Sequence, residues 1–140
     1  MVTRMRTCVR ARQHVLVTSQ GHPYARFRRA LSGTSMVVIR SAAAELEHVG
    51  LEDGLAICLA FLDLEPETYP RAASRWAARL TLEHNLAVGE SQLVLASLAA
   101  LDGPAARAGA EALIEVCQRH RLQRVDLLVG AWLDRKGLSD

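Results

Sequence analysis

The sequence predicts an all-α protein: a compact bundle, or a short stack of about three antiparallel helical hairpins, preceded by a basic amino-terminal arm or helix. Apolar residues recur at the spacing of a helix face, and no stretch shows the sustained two-residue alternation of a half-buried strand. Alanine, the best helix former, is abundant. The 140 residues are 50% hydrophobic and 23% charged, which predicts one folded domain and argues against disorder.

The amino-terminal residues differ from the rest. Residues 1–21 lack a clean period and begin with basic side chains. We therefore predict a flexible basic arm or extension over residues 1–21 and a single helical domain over residues 22–140.

Turn signals divide this domain into seven candidate helices. Glycine, proline and hydroxyl residues mark their ends, and their approximate ranges are Pro23–Leu31, a helix that begins after Ser35 and ends near His48, Leu51–Leu64, Arg71–Asn85, Glu90–Leu101, a helix opened by Pro104, and Leu122–Arg135. The third is apolar nearly all round, so we expect it at the centre of the core.

Three histidines, His48, His84 and His120, lie 36 residues apart, each near a predicted helix end. The segments 34–69, 70–105 and 106–140 then align as helix, turn and helix, although their hydrophobic positions match only loosely. This spacing indicates either stacked helical hairpins or helices of similar length by coincidence. In either case a histidine in a last helical turn bonds free carbonyl groups and interacts favourably with the helix dipole.

Few residues point to catalysis. Cys8, Cys58 and Cys117 are too far apart for a local metal knuckle, and the last two sit among apolar neighbours that predict buried thiols. Glu45 and His48 have the Glu-x-x-His spacing of diiron bundles, but no second copy exists. We therefore expect no enzyme, cofactor or metal, and keep a metal-binding or enzymatic helical protein as a third hypothesis.

Charge is segregated along the chain. Residues 1–40 hold eight arginines and no acid, whereas residues 41–70 hold seven acids and neither lysine nor arginine. This pattern favours either self-recognition between basic and acidic segments or contact with nucleic acid. The net charge of only +2 favours the first.

Ten arginines are the candidate contact residues for protein or nucleic acid. They are Arg4, Arg6, Arg10, Arg12, Arg26, Arg28, Arg29, Arg71, Arg75 and Arg79. The last three form a basic ridge at four-residue steps on the fourth predicted helix. The structural alternative is a solvated face on which Glu83 pairs with Arg79.

The segments Arg26-Phe27-Arg28-Arg29-Ala30-Leu31, Arg40 to Leu46 and Ala72 to Leu80 together resemble small helical proteins of high-GC actinobacteria. The resemblance covers residues 26–80 and implies a compact helical fold with no function attached. The apolar runs are too short to cross a bilayer, and no secretory signal is evident, so we expect a cytoplasmic bacterial protein.

The leading hypothesis is a non-catalytic protein-interaction or self-associating module, whose docking site is exposed apolar surface between hairpins. The alternative is a nucleic-acid-binding protein that uses the amino-terminal arginines and a basic helix. No small-molecule substrate and no membrane partner are expected.

Overall fold

The computed structural model describes residues 21–139, and these residues form helices joined by turns, with no strand among them. The helices are α1 (residues 21–31), α2 (Met36–Ala44), α3 (Leu51–Leu64), α4 (Tyr69–His84), α5 (Val88–Ala100), α6 (Ala106–Arg119) and α7 (Gln123–Arg135). The prediction of an all-α protein is confirmed. The predicted arm lies, apart from Gly21, outside the described residues.

Contacts within the chain divide the described residues into two compact units, residues 21–48 and residues 49–139. In the first unit α1 and α2 are joined by a short turn in which the amide of Gly33 bonds the carbonyl of Ala30 at 2.9 Å. Ser35 caps α2, since its hydroxyl accepts from the Val38 amide at 3.4 Å. Phe27 of α1 and Ile39 of α2 are fully buried.

Helix α2 ends earlier than the sequence predicts. Its last residue is Ala44, and the amide of Leu46 bonds the carbonyl of Ala43 at 3.1 Å. This hydrogen bond spans three residues, whereas those of an α-helix span four. The helix ends here, so His48 lies beyond its end. The expected helix to His48 is therefore too long.

The second unit is a closed bundle of five helices. Each helix from α3 to α7 packs against the next, and α7 also packs against α3. These five helices therefore form a ring, which is the geometry of a bundle. In an open stack of hairpins the first and last helices do not contact each other. The boundary between the units falls inside the first segment of the 36-residue period, so α2 and α3 belong to different units. The repeat stays a prediction.

The approach of α5 and α6 depends on a glycine. A Cβ atom at Gly109 would lie 2.6 Å from the Ser97 carbonyl oxygen and 2.8 Å from the Ala100 Cβ. Helix α6 buries the residues around this point, among them Ala110 and Leu113, both at 0% exposure. Because only glycine fits there, α6 holds α5 at a short fixed distance.

Helix α4 begins two residues earlier than predicted. Tyr69 and Pro70 form its first turn, where proline is tolerated because no amide is needed there. Asn85 ends the helix in the left-handed conformation with φ 50°. Among residues 21–139, no helix has the length and apolar character that crossing a bilayer requires.

Candidate protein-interaction surface

The outer sides of α4 and α5 form one exposed surface, which we name the α4–α5 face. It consists of two stripes at helical spacing, Arg71, Arg75, Ala78 and Leu82 on α4 and Val88, Gln92, Leu95 and Ala99 on α5. Every one of these residues is exposed. The positions i, i+4, i+7 and i+11 share one side of a helix, so each stripe presents its side chains in one direction.

Helix α5 contributes an uncharged stripe to the face, apolar except for Gln92. Its only charged residue is Glu90, which lies on another side of the helix. Val88 is 76% exposed and Leu95 45% exposed. A helix that is apolar on nearly all sides is normally buried on nearly all sides. Helix α5 instead packs against α4 and α6 and leaves a third, uncharged side in solvent.

Helix α4 adds one apolar and one basic end. Leu82, at 83%, is highly exposed for a leucine, and it lies near the end of α4 that leads into α5. At the opposite end, Arg71 and Arg75 are exposed and form no hydrogen bond or ion pair with another described residue. The face therefore combines an apolar region with two guanidinium groups that are not paired with another described residue.

A shallow groove joins the two stripes at the basic end. It has a volume of about 190 Å³ and lies between Ser74 on α4 and Leu95 and Ala99 on α5. The Tyr69 hydroxyl donates to the Leu98 carbonyl at 2.6 Å across this groove. Burial raises the pKa of Tyr69 far above its usual value, so the phenol stays protonated and the bond persists. The face is thus continuous between the helices.

An acidic group lies at the same end of the α4–α5 hairpin. Asp102, two residues beyond α5, lines the groove together with Pro70 of α4. It is exposed, and its carboxylate forms no ion pair with another described residue. The carboxyl end of α5 adds the negative end of the helix dipole. This end of the face therefore presents both a positive and a negative centre.

The structure places the ten candidate arginines in separate groups. Arg4, Arg6, Arg10 and Arg12 lie outside the described residues. On α4, Arg71, Arg75 and Arg79 follow one another along the helix, and Arg79 Nε donates to Glu83 Oε1 at 2.6 Å. This confirms the pair expected on a solvated face, an interaction worth about 0.3–0.5 kcal/mol.

The other three candidates lie on α1. Arg26 and Arg29 line a groove of about 470 Å³ between α1 and α2, and Arg28 is exposed beside them. Arg26 is already paired, at 2.9 Å, with Glu45 at the end of α2. Residues from the basic and the acidic segments therefore meet within the first unit.

Three of the seven acids of the acidic segment pair with basic residues that are distant in the sequence. Besides the pair with Arg26, Lys136 Nζ lies 2.5 Å from Asp63 Oδ1, and Arg124 Nη1 lies 3.9 Å from Glu52 Oε2. The seven acids thus do not form one uncompensated patch. Part of the charge that is segregated along the sequence is therefore paired in the fold.

Two of the three evenly spaced histidines meet. His84 is the last residue of α4 and His120 caps α6, and their ring centroids are 6.3 Å apart. His120 Nε2 bonds the Glu90 carboxylate at 2.9 Å, whereas the sequence predicted bonds to free carbonyls. The hydrogen bond to His120 lowers the pKa of Glu90. The cluster joins α4, α5 and α6 at one end of the bundle.

The weak metal motif is not assembled in the fold. Glu45 pairs with Arg26, and His48 lies past the end of α2, so the two do not share a helix face. Within residues 21–139, no group of three or more histidine, cysteine, aspartate or glutamate side chains has the arrangement of a metal site. Cys58 and Cys117 are buried free thiols, as predicted, and burial raises the pKa of each to about 12.

Comparison with known proteins adds no relative, because no family model, no curated protein and no solved structure matches the chain. The candidate surface therefore rests on its own geometry.

Sequence reasoning missed Leu82, Val88, Leu95 and Asp102. Val94 and Leu98 on the same helix are buried, whereas Leu95 is 45% exposed. The missed signal is a surplus of apolar residues on α5, where the run from Gln92 to Leu101 carries no charge and exceeds what one buried stripe requires.

Proposed function

We propose that this chain is a non-catalytic protein-interaction module, and that a helical segment of a polypeptide packs against its α4–α5 face. The observation that carries the proposal is the third side of α5, which is uncharged and exposed although the helix has the composition of a buried one. Covering such a face removes apolar area from water, worth about 25 cal/mol per Å². A helical segment fits the α4–α5 face because the two stripes lie side by side with a groove between them.

The residues at the two ends of the α4–α5 face restrict which partner helix can bind there. A partner helix needs apolar residues to cover Leu82, Val88 and Leu95, and an acidic group to meet Arg71 and Arg75. Complementary charge at the edge of an apolar patch fixes orientation more than it adds affinity. The same two arginines were predicted as contact residues, and here they border the apolar region that the sequence did not reveal.

Nucleic acid fits this arrangement less well. Of the six described candidate arginines, Arg26 and Arg79 already bind carboxylates, and the set is divided between α1 and α4. Asp102, at the same end of the hairpin as Arg71 and Arg75, repels phosphate. The apolar side chains of the face form no favourable contact with a charged phosphate backbone.

Site-specific photo-crosslinking tests the proposal. A benzophenone amino acid is placed at Leu82 or Leu95, and the protein is irradiated both alone after purification and in an extract of the cells that produce it. Leu127 of α7 is the control, since this leucine is 72% exposed but belongs to a stripe containing Gln123, Arg124 and Asp134.

We expect protein adducts from positions 82 and 95 and none from position 127. Equal yields at all three positions, or no adduct at either face position, would refute a docking role for this face. An adduct to nucleic acid at these positions would replace the proposal with the nucleic-acid alternative.

A further inference from the structure

We infer that the occupant of the α4–α5 face is a second copy of this chain, packed about a two-fold axis that runs parallel to α4 and α5. The inference rests on the proposed function above and specifies its partner. Each copy contributes one helical hairpin, and the two hairpins together form a four-helix bundle across the interface.

The geometry of the hairpin suits this pairing. Helices α4 and α5 are antiparallel: Thr81 and Ser91 hydroxyls meet at 3.0 Å near the connecting loop, and Tyr69 reaches Leu98 at the other end. They contain 16 and 13 residues, or about 24 and 20 Å of helix. A two-fold axis along their direction places α4 of one copy against α5 of the other, so every neighbouring pair is antiparallel and the helix dipoles oppose.

The apolar residues are complementary under the same operation. Leu82 and Val88 lie at the loop end of the hairpin on different helices. The two-fold axis therefore brings Leu82 of one copy towards Val88 of the other. Ala78 and Ala99 are small and exposed, which allows the helices to approach closely.

The charges identify a second copy as the occupant. Arg71 and Arg75 lie at the amino end of α4, and Asp102 follows the carboxyl end of α5 at the same end of the hairpin. With α4 of one copy over α5 of the other, these arginines face the partner copy's acidic group and the negative end of its α5. An unrelated helix would need to supply both an apolar stripe and an acidic end in this register, whereas α5 of a second copy already does.

A charge-swap experiment tests the pairing by sedimentation velocity. One variant carries Arg71→Glu and Arg75→Glu, and the other carries Asp102→Lys. Each variant alone places like charges at both of the symmetry-related charge contacts of its own homodimer. An equal mixture places opposite charges at both of these contacts in the heterodimer. A matched control carries Arg121→Glu and Arg135→Glu, the same change of charge at two exposed positions away from the face.

We expect the wild-type chain and the control to dimerise, each charge variant to dimerise at least about ten-fold more weakly, and the mixture to recover the wild-type affinity. Circular dichroism verifies that each variant is folded. If both charge variants dimerise with the wild-type affinity, this pairing is overturned.

A second outcome separates this inference from the proposed function. If the wild-type chain stays monomeric up to about 0.1 mM while Leu82 crosslinks to a different protein, the second-copy inference is overturned and the interaction module stands. If positions 82 and 95 give no adduct, the proposed function itself fails.

Discussion

Replacing Gly109 by alanine tests the packing that holds α5 in place. The added methyl group would lie 2.6 Å from the Ser97 carbonyl oxygen, and this oxygen belongs to the α5 backbone, so no side-chain rotation relieves the contact. Overpacking of this kind costs about 1–3 kcal/mol. Alanine regains about 1 kcal/mol of helix propensity. The expected result is a net loss of about 1 kcal/mol in the free energy of unfolding, measured by urea denaturation.

Gly130 of α7 supplies the matched control. A Cβ atom there meets nothing within 4 Å, so the Gly130→Ala variant keeps only the propensity term and should gain about 1 kcal/mol. The difference between the two variants isolates the contact between α5 and α6, and should be about 2 kcal/mol. Equal stabilities for the two variants would refute the argument that Gly109 sets this distance.

Two further predictions concern titratable groups. In a Cys8→Ser background, Cys58 and Cys117 should resist an aromatic disulfide reagent at pH 8, because burial raises their pKa values to about 12, and should react fully in urea; rapid native labelling would contradict this. Glu90 has a lowered pKa, so its bond to His120 stabilises the fold above the usual carboxyl pKa and is lost as pH falls through the lowered value. The free energy of unfolding of Glu90→Gln, measured by urea denaturation, should therefore fall less with decreasing pH than that of the wild-type chain. An equal fall in both chains would exclude the Glu90–His120 pair as its cause.

The helical fold was predictable because helix periodicity is local. Prolines, glycines and apolar spacing placed α3 and α7 within about one residue of their ends. The end of α2 was missed because nothing in the sequence before His48 breaks a helix. Closure of the ring between α3 and α7 depends on contacts between residues far apart in the chain, and no local pattern reports them.

The candidate site was predictable only in part. The basic ridge on α4 was visible because Arg71, Arg75 and Arg79 share a helical spacing, and the pairing of Arg79 was also foreseen. The apolar half was not, because periodicity identifies a stripe without revealing which sides of α5 receive a neighbour. The opposed charge blocks predicted recognition between basic and acidic segments, but they could not reveal ion pairs such as Lys136 with Asp63, which form only when α3 and α7 meet.

The molar mass of the purified chain tests the central claim most directly. Sedimentation equilibrium should give twice 15.3 kDa for the wild-type chain and for Leu127→Glu. Leu82→Glu should weaken the dimer by at least about 100-fold, since burying a leucine is worth about 1.5–3 kcal/mol and each dimer buries two copies. A wild-type mass of 15.3 kDa at every concentration, or equal dimerisation of the Leu82 and Leu127 variants, would contradict a self-associating α4–α5 face.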